Sequence, residues 1–452
     1  MSTPASPVPV RTELFGPGRL ATTVGVLLLI SLVAFEAMGV GTAMPAVMAD
    51  IGAVALYAWP FVTFMAAGVA GTALGGRWSD VAGPRLPLLV APALFGVGLV
   101  VAGTAAGMAQ LLVGRVLQGL GAGAQGVAVY VLVAAVYPER TRPAVFGMIS
   151  SAWVLPALVG PPISGLVTER FSWHWVFLGL VPLVLLAVGL VVPAVVKLGA
   201  PDPGRTTQPP RRGLVAAALG AAAGVGGLSW ASQQVTVTAL VVAVVALAVL
   251  VPSMRRLLPR GVFRARRGIS TVVACRGLLA GGFFATNSFL PLLLTTAHGW
   301  SLTMAGLPLL TGSLGWSVAS MWQGRHPDLP RPLLLRAGFA ALTVGLAGQL
   351  LVAAPWGLGW LSVPFWVIAG TGMGLGFSSL SYLLLQQSGP GEVGFQSSAA
   401  QMSDQLTTAT MIGAGGALLA LIAPPALALA VLIVALAGMA GLGVAIAGRT
   451  VA

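Results

Sequence analysis

Stretches of about 20 apolar residues recur along the whole of this 452-residue chain. No other feature limits its fold so tightly. Each stretch is long enough to cross a hydrocarbon layer of about 30 Å at about 1.5 Å per helical residue. Inside lipid, backbone N–H and C=O groups must be satisfied within the protein, which leaves helices and closed barrels. The apolar residues run continuously instead of alternating, so the segments read as helices. With 57% hydrophobic and only 7% charged residues, a string of water-soluble domains is excluded. An all-α polytopic membrane protein is expected.

Fourteen spans are expected, over 21–46, 56–76, 86–106, 109–136, 144–167, 175–196, 213–230, 236–253, 269–295, 303–323, 333–353, 361–386, 398–422 and 425–447. The Ala/Gly-rich 213–230 is the least apolar of them. The first span is longer than the core of a secretion signal, so it is expected to remain as an uncleaved helix.

The net charge of +13 would suggest a nucleic-acid partner in a soluble protein. Its placement gives a different meaning. Every second loop holds the cations: Arg77 and Arg85; Arg140 and Arg142; Lys197, Arg205, Arg211 and Arg212; Arg255, Arg256, Arg260, Arg264, Arg266 and Arg267; Arg325 and Arg331. The alternate loops hold only Arg170. This asymmetry predicts a multi-pass protein of the cell membrane with the basic loops and both termini in the cytoplasm. No nucleic-acid partner is expected, and "RRLLPRGVFRARRG" (255–268) reads as an ordinary positive-inside loop in preference to a dedicated anionic-lipid site. The single cysteine, Cys275, excludes an intrachain disulfide and a cysteine-rich metal site. No metal-spaced His/Cys set, nucleotide loop or soluble catalytic domain is present, so no enzyme and no cofactor are expected.

The Pro-, Gly- and charge-rich segment after residue 196 separates six spans from eight. If the pair at 213–253 is an insertion, six plus six remain, which suggests two lobes with a substrate site between them. The expected organisation is a cytoplasmic tail (1–20), a six-helix lobe (21–196), a linker (197–212), two additional helices (213–253), a basic loop (254–268), a second six-helix lobe (269–447) and a short tail (448–452).

Several motifs carry chemistry. "GGRWSDVAGPRLPLL" (75–89) joins spans two and three. There Gly83 permits a tight turn, and Asp80 can cap the next helix or pair with an arginine. The spacing of Gly76, Asp80, Gly83 and Arg85 resembles the loop signature of the major facilitator superfamily, although Val81 and Pro84 stand where that signature has cations. In span four, "LLVGRVLQGLGAGAQG" puts Arg115, Gln118, Gly119 and Ala122 on one helical face. An arginine there either finds a partner or snorkels to the interface. The stretch is similar to the family's R-x-x-Q-G motif. In span five, "PALVGPPISG", with Gly160, Pro161 and Gly165, resembles the antiporter signature of efflux members. Gly and Pro at that place bend a helix and open a close-packing seam. "FSWHWVFLGLVP" (171–182) looks like the family's connector into span six, with Trp173 and Trp175 as expected interface anchors.

Glu36 is the one charged residue between Leu20 and Ala49, near the middle of span one. A carboxylate buried there is pushed toward its neutral form and can hold or release a proton as access to water changes. It can also simply hydrogen-bond between helices. The run from Glu36 to Pro45 resembles the acidic first-helix motif of fourteen-span drug:proton antiporters, with Glu for the usual Asp. A second acid, Asp404, shares a polar face with Gln401, Gln405 and Thr408. It can supplement Glu36, bind a cationic substrate, or pair near the cytoplasmic end. Arg276 is expected to snorkel, and Trp153, Asn287, Trp316 and Phe377 are candidate pocket residues.

Taken together, the resemblance implies a major facilitator fold with two six-helix lobes plus two extra central helices. It also implies a proton-coupled exporter of hydrophobic, possibly cationic small molecules. Glu36, Arg115, Gln118 and Asp404 are then the proton-coupling candidates, the proton gradient is the energy source, and the transporter is expected to be a monomer. The rivals are an exporter dedicated to one natural product or lipid, and a non-transporting receptor.

Overall fold

The computed structural model describes residues 15–16, 19–83, 85–138, 141–197, 213–234, 236–326, 328–389 and 392–451. Most of the expected linker (198–212), the tail to residue 14, Arg140 and the side chain of Asp80 lie outside the described residues. Among the described residues there are sixteen α-helices and no strand. In chain order they are α1 (Leu20–Ile51), α2 (Trp59–Ala82), α3 (Arg85–Gly103), α4 (Met108–Val136), α5 (Arg142–Ser151), α6 (Val154–Arg170), α7 (His174–Leu178) and α8 (Val181–Lys197). Then follow α9 (Leu214–Ala231), α10 (Val237–Leu257), α11 (Ile269–His298), α12 (Leu302–Gly324), α13 (Arg331–Ala353), α14 (Ser362–Gln387), α15 (Val393–Leu421) and α16 (Pro425–Ile446).

Among the described residues twelve helical stretches are long and apolar enough to cross a membrane. Two segments expected to span fall outside that group, each for a visible reason. The stretch over 142–170 is interrupted at Ala152–Trp153, four residues before Pro156. Proline has no N–H for the carbonyl four residues back and its ring crowds that carbonyl. The freed Ala152 carbonyl instead accepts the Ser31 hydroxyl of α1 at 3.0 Å. The break between α7 and α8, at Gly179–Leu180, likewise falls just before a proline, Pro182. α15 is continuous, but "QSSAAQMSDQLTT" makes it too polar for the apolarity criterion.

The helices α1–α8 pack among themselves, as do α11–α16. Small residues set the closest approaches. Gly71 and Gly75 of α2 lie against the backbone of Leu120 and Ala124 in α4, and Gly119 and Gly123 of α4 lie against Phe64 and Gly68 of α2. Between the halves, α6 packs on α12 and α2 on α15. The α9–α10 pair sits beside the second seam, where α9 touches both α2 and α15. Trp59 Nε1 donates to Gln233 Oε1 at 3.0 Å, which ties the turn after α9 to the start of α2.

One end of the bundle carries the arginine-rich loops and is called here the basic end. Gly83 makes the α2–α3 turn there with φ 72°, a conformation that glycine adopts without steric penalty. At the opposite end, Trp173 departs from expectation. It is buried at 4% exposure, stacks on His174 at 3.7 Å and donates Nε1 to Asp50 Oδ2 at 2.9 Å, whereas Trp175 is exposed as an interface anchor would be. An indole with its N–H satisfied inside the protein has no need of the membrane surface.

Candidate functional site

The close approach of α2 and α4 carries Arg115 into the interior, where it meets the carboxylate that α1 brings to the same level. Arg115 Nη1 and Glu36 Oε1 form an ion pair, with side-chain exposures of 3% and 0%. Arg115 Nε donates to the Pro60 carbonyl of α2 at 2.9 Å and Nη1 to Gln118 Oε1 at 3.0 Å. The guanidinium also lies 4.5 Å from the centre of the Phe64 ring. Arg115 therefore does not snorkel. Its partner, two further acceptors and an aromatic face make its burial tolerable. Two polar groups are left over: Glu36 Oε2 and Gln118 Nε2 are buried without a hydrogen-bond partner. The cluster thus has a spare acceptor beside a spare donor, and it can rearrange without importing a new group.

A second pair lies in the other half. Arg276 of α11 does not snorkel either. Its Nε donates to Asp404 Oδ2 at 3.0 Å and its Nη1 to Ser381 Oγ of α14 at 3.2 Å. The guanidinium sits over Phe377 at 3.8 Å. Here the exposures are 14% and 16%, and Asp404 Oδ1 is without a partner. Phe377 continues into an aromatic series, with Trp316 at 5.7 Å and Phe283 and Phe284 at 5.8 and 6.2 Å from Trp316. The neighbours of Asp404 on α15 face the first half, with the Gln405 amide beside Gly68 of α2 and the Gln401 amide beside Gly126 of α4.

The sequence pattern of the Major Facilitator Superfamily matches residues 26–410. The chain belongs to the Major Facilitator Superfamily. It is 27% identical over 367 residues to Multidrug resistance protein 3 of Bacillus subtilis (strain 168), covering 79% of this chain and 71% of that protein. It is 26% identical over 381 residues to Efflux pump dotC of Dothistroma septosporum, covering 79% and 63%. The matched stretch amounts to 25%, 71% and 60% of the length of the first three curated relatives. A solved POT family transporter in complex with a thioalcohol-conjugated peptide superposes with a TM-score of 0.66 at 15% identity, covering 96% of this chain and 98% of that one. At that identity the likeness concerns the fold alone.

In this chain the Gly/Pro motif of α6 faces two ways. Gly160 lies near Phe35 and Gly39 of α1. A Cβ on Gly165 would come within 2.7 Å of the Leu302–Thr303 backbone of α12, and one on Gly306 within 2.9 Å of Pro161–Pro162. These residues make a backbone-to-backbone seam between the halves at the end opposite the basic loops. Beyond the apolar part of α6, Glu169 reaches across the seam and accepts the Thr303 N–H at 2.9 Å and its hydroxyl at 2.6 Å. Partial burial pushes the Glu169 carboxyl pKa up, but hydrogen bonds from Thr303, Ser301 and Leu302 together hold it below its usual value. The sequence reading missed this contact, for which only the capping-type "SLT" at 301–303 gave a cue.

The remaining candidates are scattered. Gly76 and Arg85 flank the α2–α3 turn, with Arg85 exposed. Trp316 and Phe377 are in contact, Trp153 is half-buried at the α5–α6 break, and Asn287 is buried in α11 at 6% exposure. A groove of about 640 Å³ runs between α12 and α14, lined by Thr311, Leu314, Val318, Trp322, Val367 and Thr371. None of the four expected pocket residues lines it. His174, His298 and His326 bond to Ser172, the Val352 carbonyl and the Trp322 carbonyl respectively. No cluster able to hold a metal occurs among the described residues.

Proposed function

We propose that this transporter is a fourteen-span drug:proton antiporter that exports hydrophobic, possibly cationic small molecules by alternating access. The sealed Glu36–Arg115 pair carries the reading. A carboxylate held against an arginine inside lipid is ionised while the pair is closed. It becomes a proton acceptor once the helices move and Arg115 turns to its other acceptors, the Pro60 carbonyl and Gln118. Proton uptake at Glu36 and cargo release would then be alternative ways of satisfying the same interior.

Counting 142–170 and α15 with the twelve apolar helices brings the spans to fourteen, and both ends of the chain then fall on the basic side. Positive-inside orientation makes that side cytoplasmic in a cell membrane. The proposed division is the one drawn from the sequence: six-helix lobes over 21–196 and 269–447, and an added pair at 213–253. The α6–α12 seam closes the outer side, and in the alternating cycle the cargo would then leave or enter from the cytoplasm. Asp404 Oδ1, free beside the Phe377–Trp316 aromatic series, offers a cationic cargo its counter-charge. The α2–α3 turn, with Gly76, Asp80, Gly83 and Arg85, is the cytoplasmic gate, and Gly160, Pro161 and Gly165 form the hinge.

The test uses purified protein in vesicles carrying a pH gradient. Glu36→Gln is expected to abolish gradient-driven movement of a lipophilic cation while leaving expression and downhill exchange in place. Wild-type coupling in that variant would remove Glu36 from the role.

A further inference from the structure

The turn between α10 and α11 is a built surface, where the sequence favoured an ordinary basic loop over an anionic-lipid site. Topology at this end is served elsewhere by small numbers of cations, such as Arg77 and Arg85 or Arg325 and Arg331. Here Arg255, Arg256, Arg260, Arg264, Arg266 and Arg267 crowd into 13 positions, all of them exposed. Among the described residues none of them has an acidic partner.

The backbone beneath them is fixed at several points. Ser270 Oγ donates to the Arg260 carbonyl at 2.8 Å and Thr271 Oγ1 to the Arg266 carbonyl at 2.6 Å. Gly268 N–H donates to the Arg449 carbonyl at 2.9 Å, which brings exposed Arg449 to the same face. Val262 is buried and anchors a single 3-10 turn. Ala265 takes φ 44°, the one non-glycine positive φ among the described residues, a local strain held by these surrounding bonds. Phe263, next to the Val262 anchor, points outward at 62% exposure. An outward aromatic ring amid arginines, at the level where α10 and α11 leave the lipid, fits a membrane interface better than open water.

We propose that residues 255–267 and Arg449 form a docking site for anionic phospholipid. Arginine forks hold the headgroup phosphodiester, and Phe263 sits in the acyl boundary of the same leaflet. The site is independent of the transport reading. It couples the connector of the added helices and the second half of the transporter to leaflet charge.

The experiment measures lipid retained by full-length protein in detergent, by native mass spectrometry, and the accompanying thermal shift. Phosphatidylglycerol, phosphatidylcholine and inorganic phosphate are compared at equal concentration. Wild type is expected to prefer phosphatidylglycerol about tenfold over phosphatidylcholine, and to be unmoved by phosphate. A variant with Arg260, Arg264, Arg266 and Arg267 changed to glutamine should lose that preference. The same four positions changed to lysine should keep most of it, and Arg325→Gln should keep all of it. Phe263→Ser, with every charge intact, should weaken retention about threefold, and it carries the test alone if the glutamine variant does not insert. Equal retention of the two lipids by wild type, undiminished retention in the glutamine variant or, where that variant does not insert, in Phe263→Ser, or an equal thermal shift from inorganic phosphate would each overturn the site.

Discussion

Among its described residues each half of this protein keeps one arginine–carboxylate pair inside the bundle, and the two pairs differ in nearly every respect but their chemistry. Glu36–Arg115 is closed to solvent at 0% and 3% side-chain exposure, between α1 and the α2–α4 pair, whose small residues bring those two backbones together. Arg276–Asp404 stays 14% and 16% exposed, with a serine hydroxyl and an aromatic face for company. A sealed pair depends on its partners within the protein, here each other, the Pro60 carbonyl and Gln118, and responds only when helices move. A part-open pair is less tightly enclosed and can exchange partners while the backbone stays still. The same two side-chain types therefore suit the first site to conformational coupling and the second to contact with a passing ligand.

The largest expected effect separates the pairs by stability. Arg115→Met leaves a carboxylate in lipid-like surroundings with only Gln118 near it, and a loss of about 3–5 kcal/mol is expected. Arg276→Met leaves Asp404 within reach of water, and the expected loss is about 1–2 kcal/mol. Unfolding of the purified protein in mixed micelles measures both. Adding Glu36→Gln to Arg115→Met should recover at least half of the deficit, since the uncompensated charge is then gone. Equal losses for the two arginines would erase the distinction.

Transport gives the next contrast. Glu36→Gln is expected to reduce gradient-driven export about tenfold or more, whereas Asp404→Asn lowers it about twofold to fivefold and acts mainly on the apparent affinity for cationic cargo. A neutral cargo should be nearly indifferent to Asp404→Asn. Loss of coupling for every cargo in that variant would move Asp404 into the company of Glu36.

Much of this was legible in the sequence because membrane helices announce themselves by length and apolarity, and because a charge within them needs a partner. Glu36 and Arg115 stood out as lone charges on spans one and four, with Gln118 one turn beyond Arg115. Arg276 and Asp404 offered the same signal, each the one Lys, Arg, Asp or Glu residue of its helix. The likeness was overlooked because each lies near the basic end, where snorkelling offers an easier account. Less legible were contacts made by backbone atoms, such as the Pro60 carbonyl under Arg115 or the Ala152 carbonyl taken by Ser31. Their partners are fixed by helix packing, and residue identity carries no trace of it. Trp173 misled for a related reason, since an indole that anchors to lipid and one that hydrogen-bonds to Asp50 look alike in a sequence.

The smallest expected effect lies outside both pairs and sharpens what sealing means. Glu169 caps the start of α12 from the other half, so its carboxylate helps hold the α6–α12 seam shut at the far end. Because its pKa is lowered from 4.5, the contribution is fully present above that ordinary value. It fades as pH falls through the lowered one, where the folded state must take up a proton. Solvent screening at this exposed position limits the contribution to about 0.5 kcal/mol. Glu169→Gln should therefore shift the balance slightly toward the outward-open form at neutral pH and flatten the acid limb of that balance. The check is labelling of a cysteine placed at buried Ala305, read from pH 7 down to pH 3 with a pyridyl disulfide, which stays reactive toward thiols in acid. If the clasp and the sealed pair act on one motion, Glu169→Gln will also raise the reactivity of Glu36 toward a carbodiimide and leave Asp404 unchanged. Equal changes at both carboxylates would mean that the seam opens the whole interior and that the closure of the first pair is no property of its own helices.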